Sequence, residues 1–157
     1  MKALVIVVSY HHKNTDKIAH AMAQVLGAEV RTPGQVRPED LREYDLIGFG
    51  SGIYDEKNHP DLLDLADKAA SVANGQAFIF STSGTPLDTG RIEFHLPLKE
   101  KLQAKGYTVV GEFACAGFNT HAFLKWFGGL NKGRPDARDL RQAQDFAQEM
   151  KRKVSRR

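Results

Sequence analysis

Apolar and polar positions along the chain change period several times, and each change marks an element. Residues 3–8 (ALVIVV) are continuously apolar and β-branched with no alternation, the pattern of a central strand covered on both faces. Seven polar or aromatic residues, Ser9 to Thr15, interrupt this run. From Asn14 or Thr15 onward Ile18, Met22, Val25 and Leu26 fall on one helical stripe, and Gly27 supplies a C-terminal stop. Ala28 to Arg31 reads as a short strand, followed by a connection through Pro33, Gly34 and Pro38. Asp45 to Ser51 (DLIGFGS) reads as another buried strand ending in a glycine-rich loop. Pro60 suits the first turn of a helix that carries Leu62, Leu65, Ala66 and Ala69 and ends at Asn74-Gly75. Ala77 to Phe80 is a strand and Ser81 to Pro86 a loop, before a helix that closes at Gly106 and that Pro97 splits or starts. Tyr107 to Cys115 is a strand, 116–135 a long connection with room for one short helix, and Asp136 caps a last helix bearing Leu140, Ala143, Ala147 and Met150.

Strands thus alternate with helices along most of the chain. Parallel strands need crossovers, and the crossovers cover the sheet, so the pattern predicts an α/β fold with a parallel sheet and helices on both faces. No internal repeat, low-complexity tract or interdomain linker interrupts the 157 residues, and the expectation is a single domain over 1–157. A chain of this length buries about two-thirds of its unfolded surface, so a core is available.

Charge changes the picture only at the tail. Lys151, Arg152, Lys153, Arg156 and Arg157 lie in the last seven residues; without them the net charge of +3 becomes −2. The body is mildly acidic and offers no general nucleic-acid-binding face. The basic tail, 151–157, either complements a helix C-terminus or meets a partner or membrane surface. No run approaches the roughly 18 apolar residues of a membrane span. Met1-Lys2-Ala3 leads straight into the first strand with no cleavage-type site, which points to the cytoplasm. Cys115 is the only cysteine, excluding an internal disulfide and any multi-cysteine metal site.

In an open doubly wound sheet the ligand crevice lies at the carboxyl ends of the strands. The loops expected there are 9–15, 51–58, 81–89 and 116 onward, rich in Ser, Thr, Asn or Gly, with the aromatics Tyr10, Tyr54, Phe118 and Trp126. Ser9, His11, Asn14 and Thr15 lead into a helix start, where outward N–H groups and the dipole suit a phosphate. Neither GxxxxGK[ST] nor a GxGxxG after the first strand is present, which sets aside triphosphate and dinucleotide loops. An acidic pair after the first strand, as phosphoacceptor receivers require, is likewise missing, with Ser9-Tyr10 in its place and Ser51 where the third strand would carry aspartate.

On these residues the chain resembles the short-chain flavodoxin family. Ser9, Asn14 and Thr15 match its phosphate loop in type and place. Tyr44 to Tyr54 (YDLIGFGSGIY) is similar to its third strand and the loop that lays an aromatic ring against flavin, and Ser81-Thr82-Ser83-Gly84 to its next flavin-contacting loop. The resemblance implies a flavodoxin-like doubly wound sheet of five parallel strands in the order 2-1-3-4-5, with flavin mononucleotide (FMN) as cofactor. It implies cofactor contacts from Ser9, Tyr10, His11, Asn14 and Thr15, from Ser51, Gly52, Ile53 and Tyr54, and from Ser81, Thr82, Ser83 and Gly84. His11-His12-Lys13 replaces the family's Thr-Gly and lengthens the loop by one residue. The loop after Phe80 lacks a second stacking tyrosine, and Phe118 or Trp126 is the candidate for that face of the ring.

The function implied is electron transfer between redox partner proteins through an exposed flavin edge. An alternative on the same fold is an FMN-dependent NAD(P)H, quinone or porphyrinogen oxidoreductase, for which the aromatic and glycine-bearing segment 117–133 would form a substrate wall or dimer contact. A flavin-free interaction module is a third reading. Oligomeric state stays open.

Overall fold

The computed structural model describes residues 1–10, 14–83, 91–116 and 135–156. Its centre is β1 (Ala3–Val8), buried along its whole length. Alternate side chains of this strand enter two separate cores: Val5 and Val7 join one, Leu4, Ile6 and Val8 the other. A strand that must feed both layers has no polar face to spare, which is why its sequence shows no alternation.

Helix α1 (Asn14–Leu26) follows and ends at Gly27, whose φ of 63° is the left-handed stop expected there. Next come the short β2 (Glu29–Arg31) and two 3-10 turns, then β3 (Leu46–Tyr54), β4 (Lys57–Asn58) and α2 (Pro60–Lys68). The chain continues through β5 (Gly75–Ser83), a 3-10 turn (Ile92–His95), α3 (Leu96–Ala104), β6 (Tyr107–Ala116) and α4 (Ala137–Ser155). Strands pair in the order β2-β1-β3-β5-β6, all parallel, with β4 antiparallel to β3 and off that path. Setting aside the two-residue β4, this is the expected 2-1-3-4-5 order. One layer packs α1 and α4 through Ile18, Met22, Ala143, Ala147 and Met150 against Phe78 and Phe80. The other packs α2 and α3 through Leu62, Leu65, Leu98 and Leu102 against Ile47, Phe49 and Ile79. Each such large side chain contributes about 1.5–3 kcal/mol on burial. Among the described residues no helix is long and apolar enough to cross a membrane.

Three expectations need correction. Helix α2 stops at Lys68 rather than at Asn74-Gly75. Ala69 turns extended (ψ 141°), and the Val72 N–H leaves the helical path to bond the Lys105 carbonyl at 2.8 Å. A tertiary bond to the α3–β6 turn outcompetes the local helical one. The segment 51–58 is not an open loop: β3 runs on to Tyr54 and turns back through Asp55 and Glu56 into β4. Both turn residues have positive φ, 53° and 61°, the backbone of a tight two-residue hairpin, held here without the customary Asn or Gly. Nor is Ser81–Ser83 loop: all three continue β5, paired to β6 and with buried side chains.

Gly48 and Gly50 have a packing role. A Cβ at either position would overlap the Phe78 or Phe80 ring from the neighbouring strand, so the glycines let two aromatic side chains lie flat across β3. On β6 the register slips between the partners of Ala77 and Phe78, leaving Val110 as an extra residue. Val109 therefore faces the α2/α3 layer and Val110 the α1/α4 layer. A Cβ on Gly111 would also meet Met150 of α4, and Phe113 packs on Phe146. Because side-chain direction alternates, this bulge sends Glu112 to the α2/α3 side instead of the opposite face.

Candidate functional site

The carboxyl ends of β1, β3 and β5 lie side by side, with Val8 opposite Ser51 and Ser51 opposite Ser81. Most of the residues expected to bind meet here. Ser9 follows β1, and its Oγ accepts the Asp16 backbone N–H at 3.1 Å, closing the first turn of α1 from outside. Asn14 and Thr15 open that helix and are buried. The Thr15 hydroxyl meets the Thr82 hydroxyl at 2.8 Å, fastening the helix start to β5. The acid of the first turn, Asp16, lies 3.4 Å from His20 one turn further along the helix.

Ser51 works inward. Its hydroxyl donates to the Gly52 carbonyl (2.6 Å) and accepts from Asn58 Nδ2 (3.2 Å) and the His59 N–H (2.9 Å). One donor and two lone pairs are thereby used, and the hairpin is clamped to the strand that launches it. Gly52 has the Tyr54 ring above it: a Cβ there would stand 3.3 Å from the ring edge. Ile53 and Tyr54 are half-buried. Burial and the neighbouring Tyr10 push the Tyr54 phenol above its ordinary value, so it stays protonated through the physiological range.

An aromatic cluster results. The Tyr54 ring meets His59 edge-on at 5.0 Å between centroids, and Tyr10 approaches the same imidazole at 5.5 Å. Tyr10 is 57% exposed, a large ring standing in solvent beside the start of α1. His59 was absent from the sequence expectations. Its signal was positional: a residue just before a helix-starting proline is the N-cap, and His59 Nδ1 indeed accepts the Asp61 N–H at 3.0 Å.

Behind the rim, Ser81 Oγ lies 2.7 Å from His95 Nε2. His95 is fully buried and its Nδ1 is 3.3 Å from Glu112 Oε1, while Lys99 Nζ reaches Oε2 of the same carboxylate at 3.3 Å. Burial outweighs the pull of Glu112 and holds His95 below the ordinary histidine value, so its neutral form prevails near pH 7. His11, Gly84 and Phe118, together with His12, Lys13 and Trp126, lie outside the described residues. A separate cleft of about 550 Å³ opens at the other end of the sheet, among Arg42, Tyr44, Asp45, Gly75 and Tyr107, and shares no residue with this rim.

The chain and its fold have counterparts. The chain is 46% identical over 147 residues to an uncharacterized protein of Methanocaldococcus jannaschii, covering 94% of this chain and 96% of that one. Its fold is similar to that of oxidised flavodoxin 2 from Bacillus cereus, with a TM-score of 0.73 at 19% identity over 98% of this chain and 99% of the other. It is also similar to a Fusobacterium nucleatum flavodoxin bound to flavin mononucleotide, with a TM-score of 0.67 at 12% identity over 98% and 99% of the two chains. The sequence pattern of the flavodoxin domain matches residues 5–119, from within β1 to beyond β6, and the chain belongs to the flavodoxin-domain family.

Proposed function

We propose that this protein binds FMN along the carboxyl edge of the sheet and carries electrons between redox partner proteins. The observation that carries the reading is the cluster Tyr10–His59–Tyr54 standing beside the first turn of α1. Exposed and half-buried rings there give a planar heterocycle an aromatic wall, and the adjacent helix start gives a phosphate its amides and dipole. Membership of the flavodoxin-domain family supports it.

The residues present fit the group. Ser9, Asn14 and Thr15 would hold the phosphate end. Gly52, Ile53 and Tyr54 would receive the ring, the missing Cβ of Gly52 leaving the backbone accessible. Thr82 and Ser83 would border the connecting chain, and Ser51 and Ser81 would support the rim from beneath. FMN supplies the reversible uptake of electrons; the protein supplies position and electrostatics.

Purified protein mixed with FMN should quench the fluorescence of the free flavin and yield it again on denaturation. Tyr54→Ala should weaken binding roughly 2- to 10-fold, the worth of one aromatic contact, while Tyr54→Phe stays within about 2-fold. Failure to retain FMN refutes the cofactor reading. Steady NADPH oxidation with a quinone, without an added reductase, refutes the carrier reading and favours the oxidoreductase.

A further inference from the structure

The group Ser81, His95 and Glu112 lies behind the rim, and beyond the support Ser81 gives that rim it has no part in holding a cofactor as described above. Its members come from three elements: the carboxyl end of β5, the 3-10 turn before α3, and the bulged part of β6. The order carboxylate, imidazole, hydroxyl is that of a hydrolase triad, but Ser81 is only 2% exposed and sits in a strand, so no acyl substrate reaches its Oγ. What the geometry does offer is a buried base wired to the rim. Ser81 Oγ and His95 Nε2 share a hydrogen bond, while Nδ1 lies 3.3 Å from Glu112 Oε1 without bonding to it. In the tautomer with its hydrogen on Nδ1, Nε2 accepts the Ser81 hydroxyl hydrogen, and a proton added to Nε2 would reverse that bond and release the Ser81 hydrogen toward the site.

We propose that His95 is a redox-linked proton acceptor: reduction of the flavin bound at the rim is accompanied by uptake of one solvent proton onto His95 Nε2. The proposal rests on the flavin reading. In the last one-electron step of the reduction the electron comes from a low-potential donor, dithionite in the test, and enters the ring. The proton comes from solvent and ends on Nε2. Nδ1 keeps its hydrogen, no covalent bond between heavy atoms changes, and the added negative and positive charges balance.

The groups around His95 fit such a site. Glu112 on β6 and Glu93 in the 3-10 turn favour the imidazolium; Lys99 on α3 opposes it, as burial does. Arg91 is turned toward Glu93, and β4, which packs on the same 3-10 turn, brings Lys57 and Asn58. Burial sets the balance against the imidazolium, and a new negative charge at the rim would shift it toward protonation. Glu112 is 14% and Lys99 33% exposed, which gives solvent protons a way in.

The test is NMR of ¹³C-labelled histidine in the full chain loaded with FMN, titrated oxidised and dithionite-reduced. His95 is assigned by its loss in His95→Gln. The expected result is a rise in the His95 titration midpoint of about one pH unit on reduction, a tenfold gain in proton affinity. In Glu112→Gln the oxidised midpoint should fall further. In parallel, the potential of the unaltered protein should drop with pH by up to about 59 mV per unit across the His95 window, and this part of the slope should vanish in His95→Gln. If His95→Gln does not fold, Ser81→Ala interrupts the contact and should shrink the redox-dependent shift. A His95 midpoint equal in both redox states overturns the proposal while leaving the flavin reading intact; a protein that takes up no FMN overturns both.

Discussion

Ser51→Ala separates a clamp from a ligand. In the wild type one hydroxyl serves the Gly52 carbonyl, Asn58 Nδ2 and the His59 N–H. Removing it strands two donors, one on a fully buried side chain and one on a half-buried residue, which a methyl group cannot satisfy. A stranded buried donor costs about 1–3 kcal/mol, the half-buried one at the low end, so the sum is about 2–4 kcal/mol. For a domain of this size 1 kcal/mol moves Tm by about 2–4 °C, which places the variant roughly 4–16 °C below wild type. Urea unfolding followed by far-UV circular dichroism gives the free energy, and calorimetry gives Tm. The double variant Ser51→Ala/Asn58→Ala should recover part of the loss, because one stranded donor goes with its side chain. A single-variant change within about 0.5 kcal/mol of wild type, or strictly additive losses in the pair, would refute the clamp.

Three further outcomes are expected. Because the folded chain holds His95 below its ordinary value, the unfolded chain binds more protons between the folded value and about 6.5; stability should therefore fall as pH drops below about 6.5, by up to about 1.4 kcal/mol per pH unit. Denaturant titrations at several pH values should show this slope in wild type and lose it in His95→Gln. Gly50→Ala should destabilise by about 1–3 kcal/mol or more, since the new Cβ drives the Phe80 ring out of its place across β3, and a loss below about 0.5 kcal/mol in chemical denaturation would contradict that packing. If the sequence's likeness of the His11-His12-Lys13 stretch to a phosphate loop holds, replacing His11 and Lys13 by neutral residues should lower the potential for full reduction of bound FMN by tens of millivolts, the effect on the order of 1 kcal/mol of one cation near an anionic ring, as read by spectroelectrochemistry.

Element order was legible because a strand that feeds two cores and a helix that feeds one leave different periods in the sequence. Gly27, Pro60, Pro97 and Asp136 then marked the helix ends they occupy. The glycines of residues 46–52 were visible but their purpose was not: Gly48 and Gly50 answer to Phe78 and Phe80, which lie on another strand. The hairpin at Asp55-Glu56 went unread because neither residue favours positive φ, and pairing with β3 imposes it. Ser51, Thr15 and Ser81 announced themselves as polar groups near a rim, yet which way each hydroxyl turns depends on Asn58, Thr82 and His95. His95 and Glu112 carry no local signal at all. Glu112 faces His95 only because β6 holds one residue more than its partner, and register is a property of the pair of strands.

That same irregularity guards the margin of the sheet. Among the described residues β6, ten residues long, is an outer strand, and a long regular margin is a template on which other chains can stack. Here the regularity is broken near its middle, and Lys153 of α4 reaches the Val110 carbonyl at 2.7 Å, occupying an acceptor that an intruding strand would need. A cation of the last helix thereby caps a carbonyl at the bulge, as charged side chains on outer strands do where they discourage pairing with other chains.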